Sequence, residues 1–162
     1  MFNETKCSGE CMDISKVLMK CELFSGLSDD AIGKIATVCE VSHYKTGITI
    51  ISKGDTDHDL FIVPKGRVSL ELDVSNYSVS ERLDQAVENE VFGEMSLVHE
   101  FRRSANAIAM EDMDLLKITR EDLMQVLDND AQAGYKVMSN LSKILARRLF
   151  ATNSQLKDSL VF

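Results

Sequence analysis

The spacing of the apolar residues changes twice along this chain, and that change restricts the fold more than any single motif. Over residues 13 to about 40, Ile14, Val17, Leu18 and Cys21, then Ala31, Ile32, Ile35, Ala36 and Cys39, recur at three and four, the period of an amphipathic helix. Gly26 breaks the stretch, and Ser28 follows as an N-cap with Asp29 and Asp30 in the first turn, so two short helices are predicted. From 41 to 118 the texture becomes short β-branched segments between turn signals, among them Gly47, Lys53-Gly54-Asp55, Pro64-Lys65-Gly66, Ser75-Asn76, Glu88-Asn89-Glu90 and Glu111-Asp112. The clearest predicted strands are 47–51, 60–63, 67–72 and 106–109. Pro64 stands at a strand break, where its missing N–H does least harm.

From Thr119 the helical period returns, first as a helix capped by Thr119 that runs through Leu127, then as a long segment from about Asp130 to Leu156. Its stripe is Met138, Leu141, Leu145, Leu149, Thr152 and Leu156, widened by Val137 and Ile144. Even strand spacing between helical flanks fits a small barrel or jelly roll.

A length of 162 residues with 44% hydrophobic composition supplies one core, and two independent domains are not expected. The reading is a flexible segment over 1–12 and a single domain over 13–162, with helices at about 13–40, a β-roll at about 41–118 and C-terminal helices at about 119–157. The 26 acidic and 18 basic side chains leave a net charge of −8, which disfavours a surface built to neutralise many nucleic-acid phosphates. The basic residues concentrate late: 131–162 carries five of them and one acid, either a solvated helix face or a docking surface. No apolar run approaches the roughly 20 residues that span a bilayer, and the N-terminus lacks a signal-peptide pattern. A cytoplasmic protein without membrane contact is expected.

Cys7, Cys11, Cys21 and Cys39 all lie in the first quarter of the chain. Their spacing matches no paired CxxC zinc pattern, and reduced, unmetallated thiols are the default. His43, His58 and His99 are scattered singly and read as surface or turn residues. No metal is expected.

The chemistry concentrates in residues 91–105, VFGEMSLVHEFRRSA. A guanidinium suits a phosphate because its planar fork makes two parallel charge-assisted hydrogen bonds. A carboxylate suits the vicinal hydroxyls of a sugar. Gly93 lets backbone N–H groups approach an anion, and a helical turn starting at Glu94 adds its positive end. A sugar phosphate is the ligand this constellation fits. Ser96 and Ser104 have no histidine or acid at a spacing that makes a nucleophilic triad, so no enzyme is expected. A plain alternative is a structural ion pair between Arg103 and Glu94 in a domain without a ligand.

The segments Phe92-Gly93-Glu94-Met95-Ser96-Leu97 and Arg103-Ser104-Ala105 resemble the phosphate-binding cassette of the cyclic nucleotide-binding domain family. The likeness extends over roughly 14–158, through Leu23-Phe24-Ser25-Gly26-Leu27-Ser28, Ile51-Ser52-Lys53-Gly54-Asp55 and the run from Leu60 to Val68. It implies an antiparallel β jelly roll, mainly β with flanking N-terminal helices and a long C-terminal helix. It also implies a ligand, cyclic AMP or cyclic GMP, with no other cofactor. Arg103 would pair with the cyclic phosphate, Glu94 would accept the ribose 2′-hydroxyl, and Gly93, Met95, Ser96, Ser104 and Ala105 would complete the cassette. Ser104 does not choose between adenine and guanine. The segment from Ala146 to Asn153 resembles the part of the long helix that would bring Thr152 and Asn153 near the purine. One departure stands out: many relatives have a second glycine after the Gly54-Asp55 pair, and this chain has Thr56-Asp57-His58-Asp59.

The resemblance implies a non-enzymatic second-messenger sensor whose response passes through the C-terminal helix to an effector protein. Bacterial activators of the family continue into a helix-turn-helix after this helix. The chain stops at Phe162, so direct DNA binding is not expected. The late helical stripe packs either on its own barrel or in a parallel dimer, and its length favours the homodimer. Two alternatives remain: a redox or iron–sulfur sensor on the same fold using the N-terminal cysteines, and a ligand-free interaction module.

Overall fold

In each of the four α-helices among the described residues, a side-chain oxygen on the residue before the first turn accepts a backbone N–H three residues on. The computed structural model describes residues 12–74, 79–100 and 102–159. Asp13 caps α1 (Ile14–Lys20) through Lys16 N at 3.1 Å, and Ser28 caps α2 (Asp29–Thr37) through Ala31 N at 3.2 Å. Thr119 caps α3 (Arg120–Asp128) through Asp122 N at 3.1 Å. Asp130 caps α4 (Ala131–Ser159) through Ala133 N at 3.0 Å. Each satisfies an N–H that the helix itself leaves without a partner. A 3-10 turn, Glu22–Phe24, follows α1, and Gly26 makes the bend into α2 at φ +79°.

Between the helices the described residues form eight strands: β1 (Glu40–Tyr44), β2 (Thr49–Ile51), β3 (Leu60–Ile62), β4 (Arg67–Val74), β5 (Val79–Val87), β6 (Val91–Phe92), β7 (Asn106–Ala109) and β8 (Met113–Ile118). They form two four-stranded antiparallel sheets, ordered β1-β8-β3-β6 and β2-β7-β4-β5. The fold is the jelly roll with flanking helices. Strand β2 begins at Thr49 rather than 47 because Gly47 turns at φ +82°. The predicted strand at 67–72 runs on to Val74.

Alternation divides the apolar residues between two cores. Phe61, Phe92, Met113 and Leu115 point into the roll against Ile51, Val68, Ala86, Ala107 and Ala109. Leu60, Ile62, Val91, Leu116 and Ile118 point the other way, onto the helices. The first sheet is covered on both faces, which explains why all three residues of β3 are buried. Phe61 and Phe92 face each other in register and stack at 5.1 Å.

Helix α4 packs through Ala133, Val137, Leu141 and Ile144, with Met138 and Leu145 half-buried beside them. Farther along, Leu149 is 63% exposed and Phe150 75%. The stripe therefore leaves its own domain at about Leu145. Lys136 and Asn140 tie the packed half down: Lys136 Nζ donates to Gly26 O, and Asn140 Nδ2 donates to Leu23 O at 3.1 Å and Ser25 O at 2.9 Å. Arg147 adds a two-pronged pair with Glu22 at 3.0 and 2.6 Å.

Candidate functional site

Strand β6 ends at Phe92, and the chain turns sharply at Gly93, φ +74°. A Cβ there would stand 2.8 Å from Arg103 Nη1 and 2.9 Å from Asp59 O, so both the backbone angle and the space require glycine. A 3-10 turn, Glu94–Leu97, follows. The loop between β2 and β3 lies against this segment. Gly54 N donates to Arg103 O, and Arg103 N donates to Asp55 O, both at 2.9 Å. The buried Ser96 hydroxyl is 2.7 Å from Gly93 O and 3.1 Å from His58 O.

The Arg103 side chain is 6% exposed and almost fully engaged. Its Nε donates to Asp57 Oδ1 at 3.3 Å and its Nη2 to Asp57 Oδ2 at 2.5 Å. Nη2 also donates to Asp59 O at 2.7 Å, and Nη1 to Gly93 O at 3.3 Å. A guanidinium has five N–H groups, so one on Nη1 has no partner among the described residues. The hydrogen bond from Arg103, helped by its charge, holds the Asp57 carboxyl below the usual carboxylate range against the opposing effect of partial burial.

Glu94 is 3% exposed and is met by Arg148 from α4, whose Nη1 lies 2.6 Å from Glu94 Oε1 and whose Nη2 donates to Val91 O at 2.7 Å. Such a buried carboxylate needs a charged partner. Its Oε2 has no protein donor among the described residues. Glu94 and Arg103 therefore do not neutralise each other. Each has its own partner, and those partners, Arg148 and Asp57, are the two residues that sequence reasoning missed. The acidic turn at 56–59 signalled the second; Arg148 read as part of a basic helix face.

The remaining expected residues are placed as follows. Met95 is 51% exposed, and the exposed Ser104 hydroxyl lies 4.0 Å from its sulfur. Ala105 is half-buried just before β7. Thr152 and Asn153 are exposed on α4; the Thr152 hydroxyl donates to Arg148 O at 3.0 Å, and Arg148, one turn earlier, is the residue that reaches the cassette. Arg102 is exposed and donates to Gly54 O.

Two cavities border this region. One of about 210 Å³ lies beside Arg148, Val91 and Cys21; the other, about 430 Å³, is lined by Asp55, Asp57, Asp59, Phe61 and Lys117. Lys117 pairs with Asp59 at 3.0 Å, which raises the lysine pKa. Among the described residues no cluster of three potential metal ligands occurs. Burial pushes the thiols of Cys21 and Cys39 up to about 12, away from the thiolate that metal or redox chemistry uses. Cys7 and Cys11 lie outside the described residues. No described helix is long and apolar enough to cross a membrane.

Residues 41–130 match the family model for the cyclic nucleotide-binding domain. The chain is 34% identical over 128 residues to the cyclic AMP receptor protein of Thermus thermophilus, covering 78% of this chain and 56% of that protein. It is 32% identical over 111 residues to human cGMP-dependent protein kinase 2, covering 68% of this chain and 15% of the kinase. The chain thus spans less than two thirds of either relative. The crystal structure of the catabolite activator protein of Thermus thermophilus superposes with a TM-score of 0.72 at 32% identity, over 84% of this chain and 62% of that one.

Proposed function

Because this chain belongs to the cyclic nucleotide-binding domain family, we propose that it is a non-enzymatic sensor that takes cyclic AMP or cyclic GMP into the cassette between Gly93 and Arg103. The observation that carries the reading is a buried carboxylate and a buried guanidinium set around one left-handed glycine, each held by its own charge partner and each with bonding capacity left. Arg103 receives the phosphate, and Glu94 accepts a ribose hydroxyl on Oε2. Gly93 and Ser96 keep the turn in shape, with Met95, Ser104 and Ala105 at its open side. Thr152 and Asn153, exposed on α4 one turn beyond Arg148, serve the base.

Arg148 supplies the route out of the site. It belongs to α4 yet is bonded to Glu94 and to Val91 O. A ribose hydroxyl on Glu94 changes what that carboxylate offers Arg148. A ligand shifts a helix only by contacts that differ between its two positions, and this pair is such a contact. The exposed Leu149 and Phe150 just beyond it are the surface offered to a second copy or to an effector. The net charge of −8 disfavours a surface built to neutralise many phosphates, so direct DNA binding is not part of this reading.

The test is calorimetric titration of the nucleotide-stripped protein with cyclic AMP and cyclic GMP. Saturable binding of one of them supports the sensor and identifies its messenger. No heat with either, and no change in melting temperature, overturns it in favour of a docking module.

A further inference from the structure

The proposed phosphate subsite carries its own counter-charge. Its one buried guanidinium is gripped on its Nε–Nη2 edge by the Asp57 carboxylate, at 3.3 and 2.5 Å. That edge is the fork with which arginine makes its best paired bonds to an oxyanion. Asp57 lies on the solvent side of the pair, with its side chain 43% exposed against 6% for Arg103. Asp55 and Asp59 line the same cleft, with Asp59 compensated by Lys117. Of the other basic groups at the cassette, Arg148 is matched to Glu94, and Arg102 is exposed and donates to Gly54 O outside the buried site. Within the site the charges of Arg103 and Asp57 cancel, and so do those of Arg148 and Glu94. An anion that enters the buried site therefore meets hydrogen-bond donors but no surplus positive charge there, with a carboxylate a few ångströms from where it must rest.

We propose that Asp57 is a specificity-determining residue that makes the subsite accept a monoanionic phosphodiester and reject a dianionic phosphate monoester. This rests on Arg103 being the phosphate receptor. A phosphate monoester has a second pKa near 6 and is mostly dianionic above neutrality, whereas a cyclic phosphodiester carries one charge. The second charge gains little from a guanidinium already neutralised and is repelled by Asp57. Like charges a few ångströms apart in a partly solvated site discriminate by about tenfold or more. Selection by charge is distinct from selection by the shape of the cyclic ring, and the two are separable with one ligand.

Three probes titrated by calorimetry at pH 7.5 make the separation: the cyclic nucleotide the protein binds, the corresponding 5′-nucleotide, and the 5′-nucleotide methyl ester, an open-chain monoanion. The parent is expected to bind the methyl ester about tenfold more tightly than the 5′-nucleotide. Asp57→Asn is expected to close most of that gap by gaining affinity for the 5′-nucleotide. The methyl-ester comparison needs no variant and stands even if Asp57→Asn does not fold. A methyl ester bound no better than the 5′-nucleotide overturns the proposal, because ring shape then sets the selection. So does an Asp57→Asn protein that keeps the parent's ratio, or one that loses cyclic-nucleotide binding at an unchanged melting temperature, where Asp57 only props up Arg103. A parent that binds no cyclic nucleotide at all removes the underlying reading, a result recognisable before the other probes are compared.

Discussion

At the scale of single residues, the site depends on charges taken out of water with their partners supplied. Removing a buried arginine from a phosphate typically costs 2–5 kcal/mol, roughly 30- to several-thousand-fold in affinity. Arg103→Ala is therefore expected to bring cyclic-nucleotide binding close to the limit of calorimetric detection. Glu94→Gln is expected to weaken it less, since an amide oxygen still accepts one hydroxyl. An Arg103→Ala protein with parental affinity would place the phosphate elsewhere. The buried thiols give a separate test. Cys21 is 1% exposed with its pKa pushed up to about 12, above the ~8.5 of a free thiol. The folded state keeps that proton when the unfolded chain has lost it. Its contribution is thus complete below about pH 8.5 and declines as pH rises toward 12, by at most ~1.4 kcal/mol per pH unit for one thiol. Denaturant unfolding between pH 8 and 10.5 is expected to show a shallower alkaline decline in Cys21→Ala, whatever the cavity costs overall.

At the scale of elements, α4 is held by two different kinds of contact. Its first half is packed through Val137, Leu141 and Ile144, while farther on it is tied by Arg147 to Glu22 and by Arg148 to Glu94. Cutting the second tie on one side leaves a carboxylate buried without a partner. Arg148→Met is expected to destabilise the protein by about 2–5 kcal/mol. Adding Glu94→Gln should restore much of the loss, because the stranded charge is gone. Thermal unfolding of the two single variants and the double variant measures the coupling; additive losses would show that the pair does not link α4 to the cassette. The elements also show how local patterns were legible. Ser28 and Thr119 cap helices where the sequence placed them, and 106–109 is a strand over the expected residues. Strand β8 was not singled out because Met113, Leu115, Leu116 and Ile118 are apolar at spacings that blur alternation. Its two faces meet two different cores, so both must be apolar.

At the scale of the whole molecule, the late half of α4 exposes Leu149 and Phe150 where the packed stripe ends. A second copy of the chain, aligned in parallel, is the proposed cover. Sedimentation of the parent is expected to give a dimer, and Leu149→Glu combined with Phe150→Glu a monomer with little change in melting temperature. A monomeric parent would leave that surface to an effector. Helix period, turn residues, caps and the cassette were all determined by the sequence itself, because each depends on residues close together in the chain. The strand spacing left a small barrel or a jelly roll open, and the family likeness selected the jelly roll. The partners of the two buried cassette charges were decided only by tertiary structure. Arg148 is 54 residues from Glu94, and Asp57 is 46 from Arg103. No local pattern encodes which of 18 basic and 26 acidic side chains will meet. Burial makes that choice, since a charge removed from water must find an opposite one within reach of the folded backbone.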